Sequence, residues 1–287
     1  MMKSGYVSII GRPNTGKSTL LNALLQFKLS AVSPKAQTTR SSIQGIYMDD
    51  DSQIIFYDTP GFLKTRNMLD EWMLRDINES IKSSDIILFL YDMKNYKEIF
   101  EFHLSQNQHS IAVLNKTDRI SSEEAASIEI SLKERFENVV LISALEKRNL
   151  DGLIQKIKLY LPHDNLFYPE DIITEKPERF FVAEFVRQAV FEIYGDEVPY
   201  STGIIVDEFT EKENRKDYIR VKLLVERDSQ KGILIGEKGS AIKEVGVRSR
   251  KMIEEFLGRS VFLEIFVKVE KGWKDNKGLL KRMWEQM

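Results

Sequence analysis

The first residues whose types and spacing could do chemistry are Gly11 to Ser18, with the sequence Gly-Arg-Pro-Asn-Thr-Gly-Lys-Ser. This spacing is typical of a phosphate-binding loop, in which backbone N–H groups turn towards phosphate oxygens at a helix N-terminus. Lys17 can reach the β- and γ-phosphates, and the Ser18 hydroxyl can bind Mg²⁺. An apolar run precedes the loop and a helical pattern follows it, which favours a nucleotide-binding loop over a chance glycine-rich turn.

Two short motifs further along the chain could complete the metal and γ-phosphate contacts. Asp58-Thr-Pro-Gly61 ends an apolar run, where Asp58 can hold Mg²⁺ through water and the Gly61 N–H can face the γ-phosphate. Thr39 lies in a polar loop before the second predicted strand, and its hydroxyl can complete the Mg²⁺ shell. We therefore predict a Mg²⁺ site made by Ser18, Thr39 and Asp58, and catalytic contacts from Lys17, Thr39 and Gly61.

Two later motifs indicate which base is bound. The Asp118 carboxylate of Asn115-Lys-Thr-Asp118 can accept from both N1–H and N2–H₂ of guanine, a pair of donors that adenine lacks. Backbone N–H groups of Ser143-Ala-Leu145 can meet guanine O6. These motifs in this order predict GTP or GDP as the ligand. The predicted nucleotide-binding residues are Gly11, Asn14, Thr15, Gly16, Lys17, Ser18, Thr19, Asp58, Gly61, Asn115, Lys116, Asp118, Ser143, Ala144 and Leu145.

The position after Gly61 bears on the hydrolysis rate. Ras-like enzymes have a water-orienting glutamine there, whereas this chain has Phe62. Because a phenyl ring cannot orient water, we expect a low intrinsic turnover unless another group or an ion supplies the missing function.

The elements that must position these motifs follow from the apolar pattern. Continuous apolar runs predict buried parallel strands, and residues 43–48 predict an antiparallel edge strand. Helices are expected to begin near Gly16, Met68, Lys94, Ser122 and Asn149. The prediction is an α/β domain with a P-loop and a doubly wound, mostly parallel sheet. The apolar runs are 6–10, 54–58, 86–92, 111–115 and 139–142.

A change of pattern divides the chain. Prolines and acids between 161 and 178 predict a linker, which gives a first domain at 1–162, a linker at 163–178 and a second domain at 179–287 with a basic C-terminal tail. The second domain should contain an amphipathic helix at 180–194, then strands at 202–209 and 218–226. A short helix, a long helix ending near Gly258 and a strand at 261–269 should follow.

The second domain contains the sequence Gly236-Glu-Lys-Gly239 between two predicted helices. A lone G-x-x-G is a weak signal, but two helices joined by it and backed by a sheet form the KH clamp, which holds about four single-stranded nucleotides. Residues 227–251 carry seven Lys and Arg against three acids. This local positive charge suits a phosphate backbone, although the net charge of the whole chain is −2. The predicted RNA-binding residues are Lys231, Gly236, Glu237, Lys238, Gly239, Lys243 and Arg248.

Composition excludes several other classes of protein. The 287 residues, 42% hydrophobic and 30% charged, suit a soluble protein of two domains. The absence of cysteine excludes disulfides and thiolate metal sites, and none of the three histidines lies near the motifs. No apolar run is long enough to span a membrane, and the early strand leaves no room for a signal peptide. We expect a cytoplasmic monomer.

The whole chain resembles the Era GTPases, in which a Ras-like domain is fused to a C-terminal α+β type II KH domain. The resemblance rests on residues 33–40 (Ser-Pro-Lys-Ala-Gln-Thr-Thr-Arg), 168–171 (Tyr-Pro-Glu-Asp), 178–184 with Arg187, 197–199, and 267–269 with Trp273. It implies binding to the 3′ end region of 16S rRNA and to the 30S subunit during assembly, under control of GTP and GDP. It also implies peripheral association with the inner membrane, and related GTPases with an asparagine like Asn14 use K⁺ beside the phosphates.

The chain departs from the family pattern at Thr15, where valine is usual, and at Glu237, which puts an acid in the clamp. The loops after Gly61 and after Asp92 are short for the family. Two other functions are weighed against an RNA-binding switch: a GTPase for tRNA modification or membrane division, and an RNA-binding module with a vestigial nucleotide domain. The clamp and the helix from Glu178 to Arg187 disfavour the first, and the intact nucleotide motifs disfavour the second.

Overall fold

The computed structural model describes residues 2–33, 35, 38–62, 65–98, 104–195, 197–213 and 215–285. The chain forms two units, each with its own internal contacts. The first comprises Met1–Ser30, Thr39–Lys64 and Met73–Glu175. The second comprises Ala31–Thr38, Thr65–Trp72 and Lys176–Met287, so it includes two short segments of the N-terminal half of the sequence.

The first unit contains a six-stranded sheet in the order β2-β3-β1-β4-β5-β6. Only the β2–β3 pair is antiparallel, which confirms the doubly wound, mostly parallel sheet with an antiparallel edge. The strands are β1 Lys3–Gly11, β2 Ile43–Met48, β3 Ser52–Asp58, β4 Ile86–Tyr91, β5 His109–Leu114 and β6 Val139–Leu141. The helices are α1 Lys17–Leu25, α2 Met68–Ser83, α3 Ser122–Lys133 and α4 Leu150–Lys158, and the first residues of α2 count with the second unit.

The sheet positions the chemistry because its central strands are apolar on both faces. Every residue of β4 is buried, as the continuous run predicts for a strand covered on both sides. Parallel strands place their carboxyl ends at one edge, so the loops after β1, β3, β5 and β6 converge there. The four nucleotide motifs that follow these strands are therefore brought together by topology.

The helix expected from Lys94 is wrong in the described residues, where 93–97 form a turn. The Asp92 N–H donates to the Asn95 side chain over 2.9 Å, and the Asp92 carboxylate accepts from the Lys94 N–H over 3.0 Å. Such side-chain to backbone bonds compete with helix formation. The continuation of that expected helix, at 99–103, lies outside the described residues.

Most of the predicted linker at 163–178 packs along the edge of the first sheet. Gln53 accepts from the backbone N–H groups of Phe167 and Tyr168 over 2.8 and 3.1 Å. The Ile46 N–H donates to the Ile173 carbonyl over 2.7 Å, and Thr174 donates to the Gln44 carbonyl over 2.7 Å. The first unit accordingly extends to Glu175.

The second unit has the element order of a KH domain. Its three-stranded sheet has the order β7-β8-β9, with β7 antiparallel and β9 parallel to β8. The strands are β7 Gly203–Thr210, β8 Asp217–Val225 and β9 Val261–Val269. The helices are α5 Glu178–Ile193, α6 Val198–Ser201, α7 Asp228–Ile235, α8 Ser240–Leu257 and α9 Lys277–Trp284.

Helix α5 is the core of this unit. All residues from Phe180 to Phe191 are buried, so the expectation of an amphipathic helix is wrong. A helix that is buried all round needs no polar face. Trp273 is also fully buried, and its indole N–H donates to the Ser201 carbonyl over 3.1 Å, so this ring packs and does not present a face to a base.

Candidate nucleotide and nucleic-acid sites

The phosphate loop connects β1 to α1 through strained backbone. Gly16 has a φ of 99°, and a Cβ there would lie 2.4 Å from the Asn115 Nδ2. Asn14 also has a positive φ of 65°, and the Thr15 hydroxyl donates to the Arg12 carbonyl over 3.0 Å. Glycine at position 16 is therefore required both by its backbone angle and by the close approach of the base-recognition motif.

Lys17 spans the mouth of this loop. Its Nζ donates to the carbonyls of Gly11 and Arg12 over 3.1 and 3.0 Å. Burial lowers the pKa of Lys17 to about 8, although the nearby Asp58 carboxylate acts in the opposite direction. Burial removes water from the Lys17 ammonium group, and a bound phosphate would stabilise its charge in place of that water.

The three predicted metal ligands lie together. The Ser18 hydroxyl donates to the Asp58 Oδ2 over 2.6 Å and lies 3.1 Å from the Thr39 hydroxyl. The second carboxylate oxygen of Asp58 is buried with no hydrogen-bond partner, and burial raises the pKa of Asp58. Hydroxyl and carboxylate oxygens are the ligands that Mg²⁺ prefers, so these residues fit a Mg²⁺ ion that would draw negative phosphate oxygens to the loop.

Asn115 ties the base-recognition end of the site to the phosphate loop. Its Nδ2 donates to the Thr15 carbonyl, and its Oδ1 accepts from the Ala144 N–H, each over 2.9 Å. The Ser143 hydroxyl donates to the Asp118 Oδ1 over 2.5 Å, which orients the carboxylate that is predicted to read guanine. The Ala144 N–H, which is expected to meet guanine O6, donates to the Asn115 side chain in this structure. Leu145 is exposed.

Lys116 and Asp92 add a further connection. The Lys116 Nζ donates to the Asp92 carboxylate over 2.8 Å and to the Asn14 carbonyl, and its backbone has a φ of 64°. This lysine therefore joins the loop after β5 to the phosphate loop. Thr19, at the start of α1, is half-buried beside the same loop.

The γ-phosphate side has a close backbone approach and no water-orienting side chain at position 62. A Cβ on Gly61 would lie 2.8 Å from the Pro13 side chain, so only glycine lets the two loops meet. The Phe62 N–H donates to the Gly11 carbonyl over 3.3 Å, and its ring packs against a buried apolar cluster that includes Ile10 and Phe89. The phenyl ring is thus part of the packing around the sheet.

The G-x-x-G sequence forms a sharp turn between α7 and α8. Gly236, Lys238 and Gly239 have positive φ values of 71°, 50° and 80°, and a Cβ on Gly236 would lie 2.7 Å from the Ala241 Cβ. Glu237 and Lys238 are exposed at its tip. The turn has the geometry that lets a nucleic-acid backbone approach the protein main chain closely.

Beside this turn, α8 and β9 enclose an open groove of about 370 Å³. Among the predicted RNA-binding residues Lys243 lines it, whereas Lys231 lies on α7 and Arg248 forms ion pairs with Glu244 and Glu192 over 2.7 and 3.6 Å. Sequence reasoning assigned none of the remaining lining residues to the groove, although Arg250 is one of the cations counted at 227–251, because only the packing of α8 against β9 brings them together. They are Ile242, Gly246, Val247, Arg250, Leu263 and Ile265.

Comparison with protein families matches both units. The model described as "50S ribosome-binding GTPase" matches residues 6–116, and the model described as "KH domain" matches residues 197–274. These ranges contain the phosphate loop and the G-x-x-G turn, respectively. The two sites thus lie in segments with separate family relationships.

Full-length relatives have the same organisation. The chain is 42% identical to the GTPase Era of Halothermothrix orenii over 98% of both chains, and 40% identical to that of Thermotoga maritima over 96% of this chain and 94% of the relative. The crystal structure of an Aquifex aeolicus Era variant bound to GDP and AlF₄⁻ matches with a TM-score of 0.92 at 36% identity, covering 98% of this chain and 99% of the other.

A second solved structure, of Era in complex with MgGDPNP and nucleotides 1506–1542 of 16S ribosomal RNA, matches with a TM-score of 0.91 at 36% identity over 99% of both chains. The geometry of the site, the order of its motifs and these full-length similarities agree. The chain belongs to the Era family of GTPases, and its activity is the hydrolysis of GTP to GDP and phosphate.

Proposed function

We propose that this GTPase binds the 3′ end region of 16S rRNA through its KH domain and acts as a GTP-controlled switch in assembly of the 30S subunit. The observation that carries the proposal is the groove beside the G-x-x-G turn, which has an apolar floor and cations at Lys243 and Arg250. A related Era is bound to 16S nucleotides in the complex described above, and that structure matches 99% of this chain.

The groove suits unpaired RNA for physical reasons. The turn at Gly236 to Gly239 lets phosphates approach the main chain, and the two cations lie where a backbone leaving the turn would pass. Val247, Leu263 and Ile265 offer apolar surface to the faces of splayed bases. A duplex hides its base faces, so single-stranded RNA is the better match.

Contacts inside the second unit suggest how the nucleotide could influence this domain. The Lys35 Nζ donates to the Phe191 carbonyl over 2.6 Å and to that of Tyr194, at the C-terminal end of α5, where a cation is favoured. Lys35 lies four residues before Thr39, the predicted Mg²⁺ ligand. A movement of Thr39 on GTP hydrolysis would shift Lys35 and so change its contacts with the end of α5.

The segment Thr65–Trp72, which follows Gly61 in the sequence, has similar contacts within this unit. The Met68 N–H donates to the Asp275 carboxylate over 2.9 Å, and Trp72 meets the edge of Trp284 with ring centroids 5.2 Å apart. We propose that these contacts, with that of Lys35, transmit the nucleotide state to the KH domain.

K⁺ is the proposed compensation for the missing glutamine. Asn14 is exposed on the phosphate loop, and Phe62 offers no polar group to the attacking water. A monovalent cation beside the phosphates would stabilise the negative charge that develops on their oxygens in the transition state. Slow turnover in Na⁺ and faster turnover in K⁺ is the expected result, and equal rates in the two buffers would contradict it.

We propose a cytoplasmic monomer with peripheral association at the inner membrane, an expectation that rests on the family resemblance. Among the described residues, no helix is both long and apolar enough to cross a membrane. Recovery in membrane pellets that is lost in high salt, together with a monomeric mass in solution, would support both parts.

The proposed function is tested by fluorescence anisotropy with a labelled RNA of the 1506–1542 sequence. We expect tighter binding with the GTP analogue GDPNP than with GDP, and loss of that difference in Asp118→Ala, whose nucleotide site is impaired. An unrelated single-stranded RNA of equal length is the control. Equal affinity for both RNAs, with no dependence on nucleotide, would contradict the proposal.

A further inference from the structure

The KH sheet has an outer face, opposite to the groove, on which aromatic side chains are exposed. Along β8, Tyr218, Arg220 and Lys222 point outward between the buried residues Ile219, Val221 and Leu223. In register with them on β9 are Phe262, Glu264 and Phe266, which therefore lie on the same face. We call the surface formed by Tyr218, Phe262 and Phe266 the aromatic face.

The aromatic face is open to solvent. Phe262 is 53% exposed and Phe266 is 49% exposed. Over the neighbouring strand β7 the same side of the sheet is covered, because the Met283 and Trp273 side chains lie against Gly203. Two half-exposed phenyl rings on one face of a sheet indicate a surface that binds a partner.

The rings are positioned as a platform. Tyr218 stacks on Phe262 with ring centroids 6.0 Å apart and planes 15° apart, and its hydroxyl bonds the Glu264 carboxylate. Phe262 and Phe266 are four residues apart on one strand, a separation of about 13 Å at the rise of an extended chain. The backing by Tyr218 fixes one ring while leaving much of it accessible.

The aromatic face is continuous with the proposed RNA groove. Leu263 and Ile265 line the groove, and they alternate along β9 with Phe262, Glu264 and Phe266. Among the described residues β9 pairs with β8 alone, so it is the edge of the sheet. An RNA strand that leaves the groove across this edge would reach Phe262 and Phe266 after crossing β9 alone.

Cations border the aromatic face. Arg220, Lys222 and Lys268 lie around the rings, and Lys212 lies 5.6 Å from the centre of the Tyr218 ring. These cations have acidic partners: Asp207, which is largely buried, pairs with Arg220 and Lys222, Glu208 pairs with Arg220, and Glu270 pairs with Lys268. Aromatic rings flanked by cations are the combination that stacks bases and holds phosphates on single-stranded RNA.

We propose that the aromatic face is a second RNA-binding surface, on which Phe262 and Phe266 stack unpaired bases of the strand that occupies the groove. The inference rests on the proposed function, since it requires RNA in the groove. It extends the contact beyond the roughly four nucleotides that a KH clamp holds.

The test compares three full-length proteins: wild type, the double variant Phe262→Ala/Phe266→Ala, and the control Phe262→Tyr/Phe266→Tyr, which keeps both rings. The probe is the 1506–1542 RNA with single 2-aminopurine substitutions in its unpaired 3′ segment. We expect the alanine variant to bind at least about tenfold more weakly, as loss of a base–aromatic stack predicts, and the tyrosine variant to bind like wild type. Protein-dependent quenching of at least one 2-aminopurine should be lost in the alanine variant alone.

Thermal unfolding should show a cooperative transition in all three proteins, and GTP hydrolysis without RNA should be the same in all three, because the rings are half-exposed and outside the nucleotide site. Equal RNA affinity and quenching for wild type and the alanine variant would overturn the inference alone, and if that variant still lost co-sedimentation with 30S subunits, the face would be assigned to a protein. Failure of wild type to bind the RNA at all would overturn the proposed function as well.

Discussion

The nucleotide site and the RNA groove are built in opposite ways. In the nucleotide site, buried side chains bond the backbone of neighbouring loops closely, as the Asn115 amide does with the Thr15 carbonyl and the Ala144 N–H. In the groove, Val247 is exposed and Lys243 and Arg250 lie in solvent. The first site is thus set before its ligand arrives, whereas the second offers an open surface to a flexible strand. Discrimination of one base should therefore be sharp in the first, and dependence on salt should be strong in the second.

The sharpest test of the closed site is Asp118→Ala. Loss of a carboxylate that accepts two guanine N–H groups should weaken GTP binding by about 10²–10⁴-fold, at ~1.5–3 kcal/mol for each charge-assisted bond. Titration with a fluorescent GTP analogue measures this. Asp164→Ala, which removes an exposed carboxylate outside the site, is the matched control. A loss smaller than tenfold would show that Asp118 does not read the base.

The backbone of the same site is tested by Gly16→Ala. The φ of 99° and the 2.4 Å approach of a Cβ to Asn115 should lower the free energy of unfolding by about 2 kcal/mol and weaken GTP binding. Chemical denaturation without nucleotide gives the first value. The control is Gly195→Ala, because a Cβ there meets nothing within 4 Å. Equal stability of the two variants would mean that the loop adapts without cost.

For the open groove we expect a smaller effect with a different signature. The double variant Lys243→Ala/Arg250→Ala should bind RNA about tenfold more weakly and reduce the slope of log affinity against log salt by about 1.4, at ~0.7 for each single-strand phosphate contact. Anisotropy titrations over a range of KCl concentrations measure both. Lys133→Ala/Lys147→Ala makes the same change in charge on the first unit. An unchanged slope would place the phosphates elsewhere.

The smallest effect is expected from the contact that we propose couples the two sites. Lys35→Met removes the cation that binds the carbonyls at the end of α5, so the ratio of RNA affinities with GDPNP and with GDP should fall a few-fold towards unity. Lys28→Met, at an exposed lysine nearby in sequence, should leave the ratio unchanged. If both variants kept the wild-type ratio, Lys35 would be a static support for α5.

The same contrast explains what could be predicted from the sequence. Contiguous motifs such as Gly11–Ser18 could be recognised because parallel strands bring their carboxyl ends together, and the fold follows from continuous apolar runs. The groove residues Val247 and Ile265 could not, because they are ordinary apolar residues on separate elements that become a site only by packing. Arg248 was assigned to RNA from local charge, yet its neighbours on α8 and α5 bind it.

Two further differences between prediction and structure have causes that the apolar pattern does not show. Helix α5 is buried all round because other elements of its unit cover it, which local periodicity does not reveal. The turn at 93–97 replaces a helix because Asp92 and Asn95 bind the backbone there. Tertiary burial in the first case, and side-chain to backbone competition in the second, prevail over sequence pattern.

The most direct test of the switch is crosslinking of the full-length protein to RNA in cell extract, with sequencing of the bound fragments, in the presence of GDPNP and of GDP. Small-subunit rRNA 3′ ends should be recovered mainly with GDPNP, with contacts mapping to α8 and β9. Recovery of unrelated RNAs, or of the same fragments equally with both nucleotides, would contradict the proposal that the nucleotide site controls RNA binding.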